Sequence, residues 1–229
     1  MRFLRPLALA LVLFLIVRAL LFEAFKIPTS SMEPTLLPGD FVLVNKAIYG
    51  SKISPGLGVP GWEDPKRGDI IVFQPPHDPN RNYVKRVVGQ PGDTVAMIDR
   101  IIFVNGEILG ENYLETATGQ EKVIDVRHSD MEWQEEYSIH TDQVTMESSE
   151  TEYRPSRDNW GPLSVPSENF FVLGDNRNDS EDSRYWGFVK RGSIDGKAWL
   201  IYYSSELDYD SLKQWYQALR WERIGRRID

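Results

Sequence analysis

The hydrophobic residues of this chain fall into short runs that end at glycine, proline, asparagine or aspartate. Such runs, rich in β-branched and aromatic residues, predict strands. They occupy Gly39–Lys46, Arg67–Phe73, Tyr83–Gly89, Asn169–Asp175 and Lys197–Tyr203. A longer segment, Thr94–Leu109, predicts two further strands with a tight turn at Asn-Gly. The pattern therefore predicts an all-β body.

The N-terminal segment differs from these runs, because it is continuously apolar. Between Pro6 and Phe22 only Arg18 is charged. At 1.5 Å per residue this length reaches the lower limit for a membrane-spanning helix. A cleaved secretory signal is the alternative, but no small-x-small cleavage site follows the run. We therefore predict an uncleaved anchor, and Arg2 and Arg5 favour a cytoplasmic N-terminus with the rest of the chain outside.

Helical spacing is evident near the C-terminus. Leu212, Trp215, Tyr216 and Leu219 are spaced i, i+3, i+4 and i+7, as on one face of a helix. We expect this helix to pack on the body of the protein.

The net charge of −8 is concentrated in one segment. Residues 111–152 hold twelve acidic and two basic residues, a balance of −10, which leaves +2 for the rest of the chain. Weak periodicity within this segment predicts an inserted subdomain. Because phosphate attraction needs a basic surface, the acidic segment argues against nucleic-acid binding.

The chain has no cysteine and only three histidines. Disulfides, thiolate metal sites and a cysteine nucleophile are thereby excluded, and no histidine has metal-ligand spacing. We expect no metal and no cofactor. Hydrolytic chemistry would have to proceed without a histidine base.

Two segments hold side chains suited to such chemistry. The stiff, proline-bounded loop Pro28–Leu36 presents the adjacent hydroxyls of Ser30 and Ser31 close to the predicted anchor. If Tyr83–Gly89 alternates as a strand, Lys85 and Arg86 point to opposite faces, and one of them is directed into the core. A buried lysine loses its proton readily and can serve as a general base toward a serine. The alternative is an edge strand on which both basic side chains are solvated.

A third segment, Gly174–Gly187, combines four acidic residues, two arginines and two serines after a predicted strand. The spacing does not match a calcium-binding loop. We predict a rigid, ion-paired loop in which Asp182 pairs with Arg184.

These segments resemble the family of bacterial signal peptidase I, the membrane-anchored serine–lysine endopeptidases that remove leader peptides from exported proteins. The resemblance lies in five stretches that follow the family's order and cover about a third of the chain: FKIPTSSMEPTLLPGD, GDFVLVNK, RGDIIVF, YVKRVVGQPGD and GDNRNDSEDSRYWGFV. It implies a largely antiparallel β catalytic core with an inserted second β subdomain. It also implies signal peptides as substrates, the lipid bilayer as a partner, and residence in the cytoplasmic membrane with the catalytic domain on the outer face.

The resemblance also implies roles for individual residues. Ser31 would be the nucleophile and Lys85 the general base. Ser180 would hydrogen-bond and orient the lysine amine, and Asp182 would pair with Arg184 as support.

The implied oxyanion donors are the Ser31 backbone N–H and the hydroxyl of Thr29, at a position that is commonly serine. Ser30 stands where the family usually has glycine, and we expect Ser30→Ala to leave cleavage nearly unchanged. The implied substrate pockets are shallow and apolar and accept small side chains. Their predicted lining is Phe25, Ile27, Pro28, Met32, Leu36, Tyr83 and Val84.

The predicted organisation is an anchor at 1–24, a core at 25–93 with a hairpin extension at 49–65, an insertion at 94–166, and a second core segment at 167–229. Two alternatives remain open from the sequence. One is a different serine–lysine protease, such as a self-cleaving repressor. The other is a non-enzymatic, membrane-tethered β module.

Overall fold

The computed structural model describes residues 6–7, 21–54, 57–111, 128–139, 153–206, 216 and 218–228. Its thirteen strands are β1 (Phe22–Lys26), β2 (Asp40–Asn45), β3 (Gly50–Ser54), β4 (Leu57–Pro60), β5 (Ile70–Phe73), β6 (Tyr83–Gly89), β7 (Thr94–Ile98), β8 (Ile101–Val104), β9 (Glu107–Ile108), β10 (Trp160–Ser164), β11 (Asn169–Leu173), β12 (Val189–Lys190) and β13 (Ile194–Ser204). A short α-helix, α1, spans Ser183–Trp186, and 3-10 helices span His128–Tyr137, Arg191–Ser193 and Trp221–Arg223. The described chain is mainly β, as predicted.

A seven-stranded sheet in the order β1-β2-β13-β5-β6-β11-β12 forms the centre of the fold. Its strand pairs are antiparallel. Strand β6 lies between β5 and β11, so the loop that follows β11 begins beside the strand that carries Lys85. The wide connection between β1 and β2 carries Ser31.

Both faces of the central sheet are covered at β5. Ile70 and Val72 of β5 pack in one hydrophobic cluster, while Ile71 and Phe73 pack in another. All four of these side chains are at most 1% exposed. This double coverage explains why β5 is a continuous apolar run, since a strand exposed on one face alternates with polar residues.

A second, four-stranded antiparallel sheet has the order β10-β7-β8-β9. Its core includes Met97, Ile102 and Trp160, and it is shared with Phe171 and Leu173 of the central sheet. Strands β3 and β4 form a separate hairpin within the predicted extension.

The structure differs from the sequence prediction at the end of the anchor and within Thr94–Leu109, and it adds β10 and β12, which lie in no predicted run. The predicted anchor extended to residue 24, but Phe22–Lys26 forms β1 and pairs with β2. Thr94–Leu109 holds three strands instead of two, because a second turn at Asp99 and Arg100 precedes the one at Asn105-Gly106. Both Asp99 and Arg100 have positive φ, 48° and 71°, so this turn lacks the glycine that usually signals it.

Several predicted features lie largely outside the described residues, namely most of the anchor, much of the acidic segment, and Leu212 and Trp215 of the C-terminal helix. At the end of that predicted helix, Leu219 forms a β-bridge with Ser205. Within the described part of the chain, no helix is both long and apolar enough to cross a bilayer.

Candidate active site

The loop between β1 and β2 holds Ser31 over the sheet by burying its apolar neighbours. Met32 and Leu36 are 1% and 0% exposed and pack with Ile27 and the strands beneath. Two turn hydrogen bonds, Glu33 N–H to Ser30 O (3.0 Å) and Leu36 N–H to Met32 O (2.9 Å), shape the loop. Ser31 is thereby placed on a segment fixed by the core.

Lys85 projects from β6 to meet this loop. Its Nζ lies 2.8 Å from Ser31 Oγ in a buried hydrogen bond. Thr29 Oγ1 lies 3.5 Å from the same Ser31 Oγ. The predicted site residues of the nucleophile loop and of β6, which are 54 residues apart in the sequence, are therefore in one place.

The environment of Lys85 makes its amine easier to deprotonate than a solvated lysine. Burial lowers the pKa of Lys85 to about 8, and the carboxylates of Asp182 and Glu181 oppose this shift only in part. A neutral amine at this distance can accept the proton of a serine hydroxyl.

The loop after β11 is held by a buried ion pair. Arg184 donates from Nε to Asp182 Oδ1 (2.8 Å) and from Nη2 to Asp182 Oδ2 (3.0 Å), and both side chains are 0% exposed. Burial raises the pKa of the Asp182 carboxyl, but Arg184, the Gly174 N–H and the Ser180 side chain together outweigh burial and hold this pKa below its ordinary value. Asp182 also accepts from the Gly174 N–H (3.1 Å). The predicted pair thus joins both ends of the loop.

The predicted hydrogen bond from Ser180 to Lys85 is not formed. Ser180 is 1% exposed, and its Oγ forms no well-aligned hydrogen bond among the described residues, although it lies near enough to Asp182 to help lower the pKa of that carboxyl. Ser180 instead packs closely over Gly174, where a Cβ would lie 2.2 Å from Ser180 Oγ. Close packing, which spacing along the sequence does not reveal, sets the position of this hydroxyl.

A second buried ion pair was not predicted as part of the site. Arg86 donates from Nε (2.9 Å) and Nη2 (2.8 Å) to the two carboxylate oxygens of Asp175. Asp175 also accepts from the Thr35 hydroxyl (2.5 Å), so the pair links β6 to both functional loops. The sequence predicted that only one of Lys85 and Arg86 is buried. Both are buried in the structure, at 4% and 3% exposed. Both are buried because both faces of the sheet are covered.

Comparison with known proteins places this geometry in a family. The model of the family described as "Signal peptidase, peptidase S26" matches residues 1–203. The chain belongs to the S26 signal peptidase family.

Individual relatives agree with this assignment. Signal peptidase I of Pseudomonas fluorescens is 41% identical over 203 residues, which are 83% of this chain and 68% of that protein. Signal peptidase I of Aquifex aeolicus is 33% identical, with 85% and 83% of the two chains covered. A crystal structure of a signal peptidase I from Enterococcus faecalis V583 is 32% identical and covers 59% of this chain and 97% of its own, with a TM-score of 0.39. As a member of this family the chain is a serine endopeptidase, and the family assignment argues against the non-enzymatic and repressor alternatives.

In this S26 peptidase, Ser31 and Lys85 open into a groove of about 900 Å³. Most of the residues predicted to bind substrate line it, namely Phe25, Ile27, Pro28, Met32, Tyr83 and Val84. Leu36 does not, because it is 0% exposed and lies in the core below the loop. The groove also contains the charged residues Lys26, Arg81, Asp179 and Glu181, which the sequence prediction did not include.

Proposed function

We propose that this chain removes signal peptides from exported pre-proteins, with Ser31 as nucleophile and Lys85 as general base. The observation that carries the proposal is the 2.8 Å contact between Ser31 Oγ and a buried lysine amine at the floor of a partly apolar groove. The names of the relatives, signal peptidase I, supply the substrate class.

In the first half-reaction, Ser31 Oγ attacks the scissile carbonyl carbon as its proton passes to Lys85 Nζ. The oxyanion that forms is stabilised by the Ser31 backbone N–H and the Thr29 hydroxyl. When the carbon–nitrogen bond breaks, the leaving amine takes the proton from Lys85. An acyl ester on Ser31 remains, and the Lys85 amine is neutral again.

In the second half-reaction, Lys85 takes a proton from water as the water oxygen attacks the ester carbon. Ester cleavage returns a proton to Ser31 Oγ and releases the signal peptide with a free carboxyl end. Ser180 packs against Gly174, which also lies beside the Ser31 carbonyl oxygen, so it can support this arrangement without bonding Lys85 in the resting state.

We further propose that the apolar segment before β1 anchors the enzyme in the cytoplasmic membrane, with the catalytic body on the outer face. The apolar run from Pro6 and the basic residues before it support this topology. The groove would then act on substrates that are themselves emerging from the bilayer.

The test is cleavage of a leader peptide with alanine at the first and third residues before the cut. Ser31→Ala and Lys85→Met should each lower kcat by more than about 10³-fold, because each removes one partner of the proton transfer. Ser164→Ala, an exposed serine on β10, is the matched control and should cleave like the wild type. Full activity in either dyad variant, with circular dichroism like that of the wild type, would refute the assignment.

A further inference from the structure

Ser30 lies between the proposed oxyanion donor Thr29 and the nucleophile Ser31, and its side chain has a specific partner. The Ser30 hydroxyl donates a hydrogen bond to Asp179 Oδ2, which belongs to the loop after β11. A glycine at this position could not make that contact. Both residues also line the substrate groove.

This bond is one of several that connect the nucleophile loop to the loop after β11. The Thr35 hydroxyl donates to Asp175 Oδ2 (2.5 Å). The Asn176 backbone N–H donates to Ser31 O (3.1 Å), and Asn176 Nδ2 donates to Ser30 O (3.3 Å). Those two bonds hold carbonyl groups of the nucleophile loop. The contact from Ser30 to Asp179 adds a side-chain restraint to the same short segment.

Asp179 is itself a well-fixed acceptor. Arg184 Nη2 donates to the carbonyls of Arg177 (2.9 Å) and Ser180 (3.4 Å), which flank Asp179 in the chain. Arg184 is in turn fixed by its buried pair with Asp182. The Ser30 hydroxyl is therefore bonded to a carboxylate whose neighbours in the chain are held by the buried Arg184–Asp182 pair.

We propose that Ser30 and Asp179 form a positioning pair that fixes the segment carrying the nucleophile and the oxyanion donors. The backbone angles of Ser30 set the direction in which Thr29 Oγ1 and the Ser31 N–H point, and small displacements of such groups are costly to catalysis. The inference rests on the proposed function. It replaces the sequence-based expectation that Ser30→Ala is neutral.

The experiment measures kcat and KM separately for the full-length chain acting on the alanine-bearing leader peptide. Ser30→Ala and Asp179→Leu should each lower kcat about tenfold, as expected for one hydrogen bond to a charged group, with KM within about twofold of wild type. The double variant should be no worse than either single variant, because the two side chains act through one contact. Ser30→Thr keeps the donor and Asp179→Asn keeps an acceptor, so each should recover most of the lost kcat.

Other outcomes contradict the pair. Single variants with wild-type kcat, or losses that multiply in the double variant, would show that the contact does not position the loop. A rise in KM alone would show that the residues touch substrate instead. Thermal unfolding of each variant is measured alongside, and a kcat loss that only follows the folded fraction would also refute the proposal. A wild-type chain that leaves the peptide uncut would overturn the proposed function and this inference together, whereas an active wild type with unaffected variants overturns the inference alone.

Discussion

Lys85 shows how burial changes the chemistry of one residue. Lys85 is 4% exposed, and burial penalises the charged form of its amine more than the nearby carboxylates favour that form. Asp182 cannot fully offset this burial, because its carboxylate is already paired with Arg184. The consequence is an amine that loses its proton near neutral pH.

The pH dependence of cleavage follows from this lowered pKa. Only the neutral amine can accept the Ser31 proton, so activity should rise with pH through the Lys85 pKa of about 8. Between pH 7 and pH 9 the neutral fraction, and with it kcat/KM, should increase about tenfold. The measurement is kcat/KM from pH 6 to 10.

Glu181 provides a control for this profile. Its carboxylate raises the pKa of Lys85, so Glu181→Gln should move the rise of kcat/KM to lower pH. A wild-type profile that rises only near pH 10, the range of a solvated lysine, would contradict the buried-base mechanism.

At the scale of elements, the site is the meeting point of two loops. The loop from β1 to β2 brings Ser31, and the loop after β11 brings Asp175 and Asp182 next to β6. Gly174 lies where these loops come closest. An ideal Cβ at Gly174 would be 2.5 Å from the Ser31 carbonyl oxygen and 2.2 Å from Ser180 Oγ.

Gly174→Ala should therefore push the two loops apart. Overpacking of this kind costs about 1–3 kcal/mol of unfolding free energy, and displacement of Ser31 should lower kcat at least tenfold. Gly110→Ala is the matched control, because a Cβ there meets nothing within 4 Å, and it should change neither quantity. Urea unfolding and the leader-peptide assay test both effects, and wild-type behaviour of Gly174→Ala would show that the loops are not in close contact.

Strands β2, β5, β6, β11 and β13 were predictable from the sequence, because each overlaps a short apolar run that is bounded by turn residues. The turn at Asp99 and Arg100 was missed, because it contains no glycine and arginine is uncommon at positive φ. The pairing of Arg86 with Asp175 could not be inferred from alternation along β6, since it depends on which elements cover each face of the sheet. The position of Leu36 in the core was missed for the same reason, since a nearby apolar residue fits a pocket as well as it fits the core.

At the scale of the whole molecule, the C-terminal segment is joined to the strand that follows the nucleophile loop. Arg223 donates to both carboxylate oxygens of Asp40, including a 2.5 Å bond from Nη2 to Oδ2, across 183 residues of sequence. Asp40 is 0% exposed and also accepts from Ser204 Oγ at 2.6 Å. Arg223 Nη2 donates as well to Thr35 O (2.9 Å), within the loop that carries Ser31.

Arg223→Met should reveal how much this connection stabilises the fold. The variant keeps most of the side-chain volume but leaves the Asp40 carboxylate buried without its main cation, a loss of about 3 kcal/mol of unfolding free energy. Arg220, 3.6 Å from Asp40, compensates only in part. Arg226→Met removes an exposed arginine from the same segment and should change stability by no more than about 0.5 kcal/mol. The measurement is denaturant unfolding of the two variants. Equal unfolding midpoints would mean that the bonds from Arg223 to Asp40 contribute nothing to the free energy of unfolding.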